Sequence, residues 1–168
     1  NKIAEMVNAA RAQIGVTLEY DPIYRVIKYP NGDVPMVTGV CADVVVRAVR
    51  AVGVDLQRIV HEDMKTNFGV YPQRWGLNAP DTNIDHRRVP NLMTFFERQG
   101  KAVEITKDPA DYQPGDIVSW QATSGSYHIG LISNIRMLTS GRYLIIHNVG
   151  NGTMIQDRLF EWEIVGHY

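Results

Sequence analysis

The sequence predicts an α+β domain in which N-terminal helices pack on a C-terminal antiparallel sheet or small barrel. Three observations carry this. Apolar residues recur at helical spacing up to Gly100, short β-branched runs separated by turn residues fill the chain from Lys101 onward, and the two kinds of segment do not alternate. With 168 residues and 45% hydrophobic content, the chain is long enough for one real core, and no linker or repeat divides it, so residues 1–168 form one domain.

"KIAEMVNAARAQIG" predicts a first helix, with Ile3, Met6, Val7, Ala10 and Ile14 on one stripe and Gly15 just past its end. "YDPIYRVIKYPNGDVP" follows. Its three prolines and the Asn31-Gly32 turn signal predict loop or sheet-edge structure. "GVCADVVVRAVRAVG" predicts the second helix, opening at Cys41 and closed by Gly53. Its valines are mediocre helix formers, so burial has to stabilise it. "VDLQRIVHEDMK" predicts a shorter third helix. Residues 65–90 show no period and are rich in Gly, Pro, Asn, Arg and aromatics, the composition of a folded, ligand-facing loop. "NLMTFFERQG" predicts a last helix. "KAVEIT", "GDIVSW", "YHIGLISNI", "RYLIIHNVG", "GTMIQDRL" and "EWEIVGHY" predict strands.

Cys41 is the sole cysteine, which excludes an intramolecular disulfide and the four-cysteine zinc sites. A helix N-terminus lowers a thiol pKa, and the thiolate is the reactive form, so position makes Cys41 a candidate nucleophile; a buried apolar filler is the alternative. Asp43 suits the helix dipole but opposes thiolate formation if it faces the sulfur. A nucleophilic thiol needs a base, and the base an orienting partner. His128 opens one predicted strand and His147 nearly closes the next. In adjacent antiparallel strands these two become neighbours if they share a face.

The order "GVCADVVVRAVRAVG", "YQPGDIVSW", "YHIGLIS", "LIIHNVG", roughly residues 39–150, resembles the core of the NlpC-type cell-wall peptidases, a branch of the papain-like cysteine hydrolases. More of the chain, including "GVTLEYDPIY", "NIDHRRVPNL" and "DRLFEWEIVGHY", resembles a bacterial family of secreted proteins described as a domain of unknown function. The resemblance implies a papain-like fold with Cys41 as nucleophile, His128 as base and His147 as orienting residue, with no cofactor. It implies hydrolysis of amide bonds, in peptidoglycan stem peptides, through a thioester acyl-enzyme. It departs from the NlpC pattern where Val40 and Ala42 flank the cysteine in place of Asp and Ser, which bears on substrate specificity. Asn148 is the alternative orienting residue. The Cys41 backbone N–H is a natural oxyanion donor, with Tyr20 or Tyr24 as side-chain donors.

Asp85, His86, Arg87 and Arg88 form a second cluster. Its arginines suit substrate carboxylates, and a structural ion pair between Asp85 and an arginine is the alternative. Trp75, with Tyr71 and Phe68, either lines a groove or forms the loop's own small core. His61 and His167 are read as surface residues without a role.

Two rival readings use the same residues. Cys41, His128 and His147 could ligate zinc in a metal-dependent hydrolase, or the domain could be a non-catalytic module that binds cell-wall peptides. The net charge of −1 argues against nucleic acid as partner, and no apolar run is long enough for a membrane span. The chain is read as a monomer. A start without methionine fits a mature form whose signal peptide has been removed, hence a periplasmic or secreted protein.

Overall fold

A computed structural model describes residues 1–168. Four helices precede a five-stranded open antiparallel sheet. Helix α1 (Lys2–Arg11) is capped by Asn1, whose side chain accepts from the Ile3 and Ala4 N–H groups. Helix α2 is Cys41–Arg50. Helix α3 (Leu56–Asn67) is capped by Asp55, and α4 (Val89–Arg98) carries proline in its first turn. The strands are β1 (Ile117–Gln121), β2 (Tyr127–Arg136), β3 (Tyr143–Asn148), β4 (Thr153–Gln156) and β5 (Glu163–His167), in the order β4-β3-β2-β1-β5. No helix is long and apolar enough to cross a membrane.

The register divides the sheet into two faces. Ile117 lies opposite Leu131, which lies opposite Ile146; these three and Ile129 pack against the helices. Val118, Trp120, Ile132 and Ile145 alternate with them on the other face. That face carries a smaller core closed by Tyr112, Leu159, Phe160 and Trp162 from the loops, so the molecule has three layers: helices, sheet and loops.

Helix α2 is the centre of the larger core. Every residue from Cys41 to Val49 is buried, so the helix is enclosed on all sides and not along one stripe. This follows from what packs around it: the sheet, α1, α3 and residues 85–87, with the strap of residues 18–40 running alongside. Arg47 fixes the strap, donating to Asp33 at 2.9 Å and to the Thr38 carbonyl at 2.9 Å. Asp43, in the first turn, is buried and held by Arg87, whose Nε and Nη2 donate to its two oxygens at 3.0 and 2.9 Å.

Several expectations are corrected. Residues 101–106 are extended but not a strand; one ladder-like bond, from the Val103 N–H to the His167 carbonyl at 2.8 Å, ties them to β5. The sheet does not close into a barrel. Helix α1 stops at Arg11, and Ile3 and Ile14 are exposed; Val7 and Ala10 are buried in the core and Met6 packs half-buried beside them. His167 is buried, donating to Asp116 at 2.7 Å and stacking on Tyr112. It faces the smaller core, so proximity to the C-terminus does not expose it.

Breaking one side of a buried ion pair leaves an uncompensated charge in low dielectric, at a cost of about 3 kcal/mol or more. Arg87→Ala is therefore expected to lower the thermal midpoint by about 6 °C or more, a scale set by the size of the domain. A change of less than about 2 °C in a calorimetric scan would contradict the clamp described here.

Candidate active site

The approach to Cys41 is fixed at each residue. The Gly39 carbonyl accepts from the Asp21 N–H at 3.0 Å and from Asn148 Nδ2 at 3.5 Å. A Cβ at Gly39 would come within 3.1 Å of Arg47 and 3.2 Å of Asp43, so any larger residue would have to push one of them aside. The Val40 N–H donates to Asp43 at 2.7 Å. Asn148, on the helix-facing side of β3, also donates to the Glu19 carbonyl at 3.1 Å. Its role is to hold the strap beside Cys41; it does not touch a histidine.

The sulfur lies at the floor of a cleft of about 390 Å³ that Tyr20, Trp75, Arg87, Arg88 and Tyr127 also line. The Tyr20 hydroxyl and the backbone N–H groups of Ile129 and Ala42 face it. These donors favour a thiolate, but burial outweighs them and, with the Asp43 charge, pushes the thiol up to about 11. The resting sulfur is therefore protonated at neutral pH. Burial likewise raises the Tyr20 hydroxyl, which stays a donor.

The two histidines meet as the strand spacing suggests. His128 Nε2 lies 2.8 Å from His147 Nδ1, and His147 Nε2 lies 2.8 Å from Gln156 Oε1 on β4. An amide oxygen only accepts, so His147 carries its proton on Nε2 and accepts at Nδ1. His128 then donates from Nε2, and its lone pair is left on Nδ1. Burial and the neighbouring His147 pull His128 down to about 3, so the pair is neutral near pH 7. Trp120 stacks on the His128 ring at 5.5 Å, and Trp162 meets His128 edge-on and lies tilted against His147.

The structure does not join this pair to the sulfur. His128 lies opposite Trp120 in the β1–β2 register and shares its face, whereas Ile129, whose N–H faces the sulfur, points to α2. Sulfur and imidazole thus approach one stretch of β2 from opposite sides, and no hydrogen bond connects them.

The second cluster separates into distinct roles. The fork of Arg87 is engaged by Asp43. Asp85 makes no ion pair; it accepts from the Asp81 N–H at 2.6 Å, and burial raises it to about 6. His86 is buried away from the cleft lining, pulled down to about 4 by burial. Tyr24 donates to Asp81 at 2.8 Å and accepts from Asn83, outside the cleft. Trp75 and Arg88 do line the cleft, Arg88 lying 4.4 Å from the Trp75 ring centre.

Sequence reasoning missed Arg74 and Tyr127 in the cleft and Gln156 beyond the histidines. Only Gln156 had a signal, as a polar residue on a strand that could pair with "YLIIH". No group of three or more His, Cys, Asp or Glu side chains converges to hold a metal, so the zinc alternative has no ligand set.

The family described as "Domain of unknown function (DUF1287)" matches residues 7–168. The chain is 55% identical over 163 residues to a protein of Escherichia coli (strain K12) described as "Uncharacterized protein YijF", covering 97% of this chain and 79% of the relative. No solved structure matches.

Two measurements check the protonation states. Nitrogen-15 spectra should show His128 and His147 both protonated at Nε2, with His128 remaining neutral down to about pH 4 because its pKa lies near 3. The Cys41 thiol should react with iodoacetamide at a rate still rising at pH 10, since a pKa of about 11 leaves only about one thiol in ten thousand ionised at pH 7. A plateau below pH 8 would mean a preformed thiolate.

Proposed function

We propose that this chain, which belongs to the DUF1287 family, is a papain-like thiol hydrolase cutting amide bonds in peptidoglycan peptides, in the periplasm or outside the cell. The observation that supports it best is the Gln156–His147–His128 chain. It leaves a bare lone pair on His128 Nδ1, one residue from the point where β2 touches the Cys41 sulfur. That is the tautomer a general base needs.

In this reading the reaction is acyl transfer to water. His128 Nδ1 takes the thiol proton as the sulfur attacks the amide carbonyl. The carbonyl oxygen, now negative, is met by the Cys41 backbone N–H at the head of α2 and by the Tyr20 hydroxyl. The C–N bond breaks as the imidazolium returns its proton to the leaving amine. Water, deprotonated by His128, then attacks the thioester and frees the acid and the thiol. His147 and Gln156 hold the ring in one tautomer throughout. Because the resting imidazole faces away from the sulfur across β2, this reading requires the start of β2 to turn so that His128 Nδ1 enters the cleft before the proton can pass.

The same separation favours a second reading, a module that binds wall peptides in the cleft without cutting them. Digestion of purified peptidoglycan, with fragments weighed by mass spectrometry, decides between the two. The hydrolase should release fragments whose masses sum to that of the parent plus one water for each bond cut, all at one kind of amide. Cys41→Ala should abolish that release, and His128→Ala should slow it by about 10²–10⁴-fold. Iodoacetamide should inactivate, and a chelator should do nothing. Intact peptidoglycan that retains bound protein identifies the module instead.

A further inference from the structure

We propose that Arg74 and Arg88 form a two-carboxylate recognition site beside Cys41, so that the amide compound reaching the thiol is a peptide with two free carboxylates near its scissile bond. This rests on the reading of Cys41 as the nucleophile.

The inference comes from where every arginine spends its charge. Of the twelve arginines in the chain, Arg25, Arg47, Arg50, Arg58, Arg87, Arg98, Arg142 and Arg158 pair with Asp or Glu. Arg11 and Arg136 donate to the Asn134 side chain and the Gly141 carbonyl. The remaining two guanidinium groups, on Arg74 and Arg88, donate to nothing in the chain, and both line the cleft that holds Cys41. In Arg88 the Nη1 is also shut off from solvent.

Both groups are seated on aromatic rings. Arg88 lies 4.4 Å from the centre of Trp75, and Arg74 lies 5.2 Å from the centre of Tyr127. A guanidinium on an aromatic ring keeps its charge and loses rotational freedom. A carboxylate can then be bound by two parallel N–H···O bonds with little further ordering. The nearby acids are committed elsewhere: Asp81 accepts from Tyr24 and from the Asn83 N–H, and Asp85 accepts from the Asp81 N–H. The cleft contains no other charged group than Arg87, which Asp43 neutralises. Two unmet planar cations around one thiol call for two planar anions on the molecule that occupies the cleft.

The probe is N-acetyl-γ-glutamyl-alanine, which carries a free carboxylate on either side of one amide bond, compared with its two monoamides and its diamide. Cys41→Ala protein, which cannot turn substrate over, is titrated calorimetrically with each. The dicarboxylate should bind saturably. Amidation of either carboxylate should weaken it by about tenfold, as should Arg74→Gln or Arg88→Gln in the same background. The diamide should bind the parent and the arginine variants alike. Arg88→Lys should recover less than half of the loss in binding free energy, since it restores charge without the fork. The variants should keep the parent's circular dichroism, because neither side chain bonds to the fold. Binding of the diamide as tight as that of the dicarboxylate overturns the proposal. So does a double Gln variant within twofold of the parent, or no saturable binding of any form at millimolar concentration. Turnover of peptidoglycan by the unsubstituted protein is read separately. Its absence with the binding pattern intact removes the hydrolase and leaves the two-arginine site standing.

Discussion

The buried pair between Asp43 and Arg87 is the interaction on which the site depends. Asp43 sits in the first turn of α2, where a carboxylate complements the helix dipole and takes the Val40 N–H. Buried alone, that charge would be costly; the two-pronged contact with Arg87 compensates it. The same contact brings residues 85–87 onto the head of the helix. Trp75 and Arg88 thereby come to the edge of the cleft above Cys41. One ion pair thus places the thiol and shapes what surrounds it.

The sheet acts as a partition. Its helix-facing side is a largely apolar surface on which α2 and the sulfur rest, and its other side holds the histidine pair under Trp120 and Trp162. Burial works on both groups in the direction that removes charge, holding the thiol protonated and the imidazole neutral. A protonated resting thiol reacts slowly with oxidants and alkylating agents, because little of it is thiolate at neutral pH. The Tyr20 hydroxyl and two backbone N–H groups already face the sulfur, so the groups that would stabilise negative charge precede the charge itself.

The charge balance of the cleft differs from that of the surface. Elsewhere arginine charge is matched locally by Asp, Glu or a hydrogen-bond acceptor, in keeping with a net charge of −1. Around the thiol two guanidinium groups rest on aromatic rings without an acceptor. Arg74 is exposed and Arg88 half-buried, so much of this charge is still hydrated, and it gives the cleft a sign which the chain as a whole does not have.

Much of this was legible in the chain itself. Helical spacing marked α2 and α4, turn residues and β-branched runs marked β1 to β5, and the spacing of His128 and His147 foretold their contact, because period and pairing register are local rules. The strand expected at 101–106 failed, since extended backbone becomes a strand only when a neighbour supplies its ladder, and β5 supplies one bond. The sequence by itself determined an α+β domain with one thiol opening a helix and two histidines side by side. Only the tertiary structure decided that Arg87 belongs to Asp43, that Arg74 and Arg88 remain unspent, and that sulfur and imidazole lie on opposite faces of β2. Those outcomes depend on burial and on which partners meet across long separations in the chain, and no local pattern encodes either.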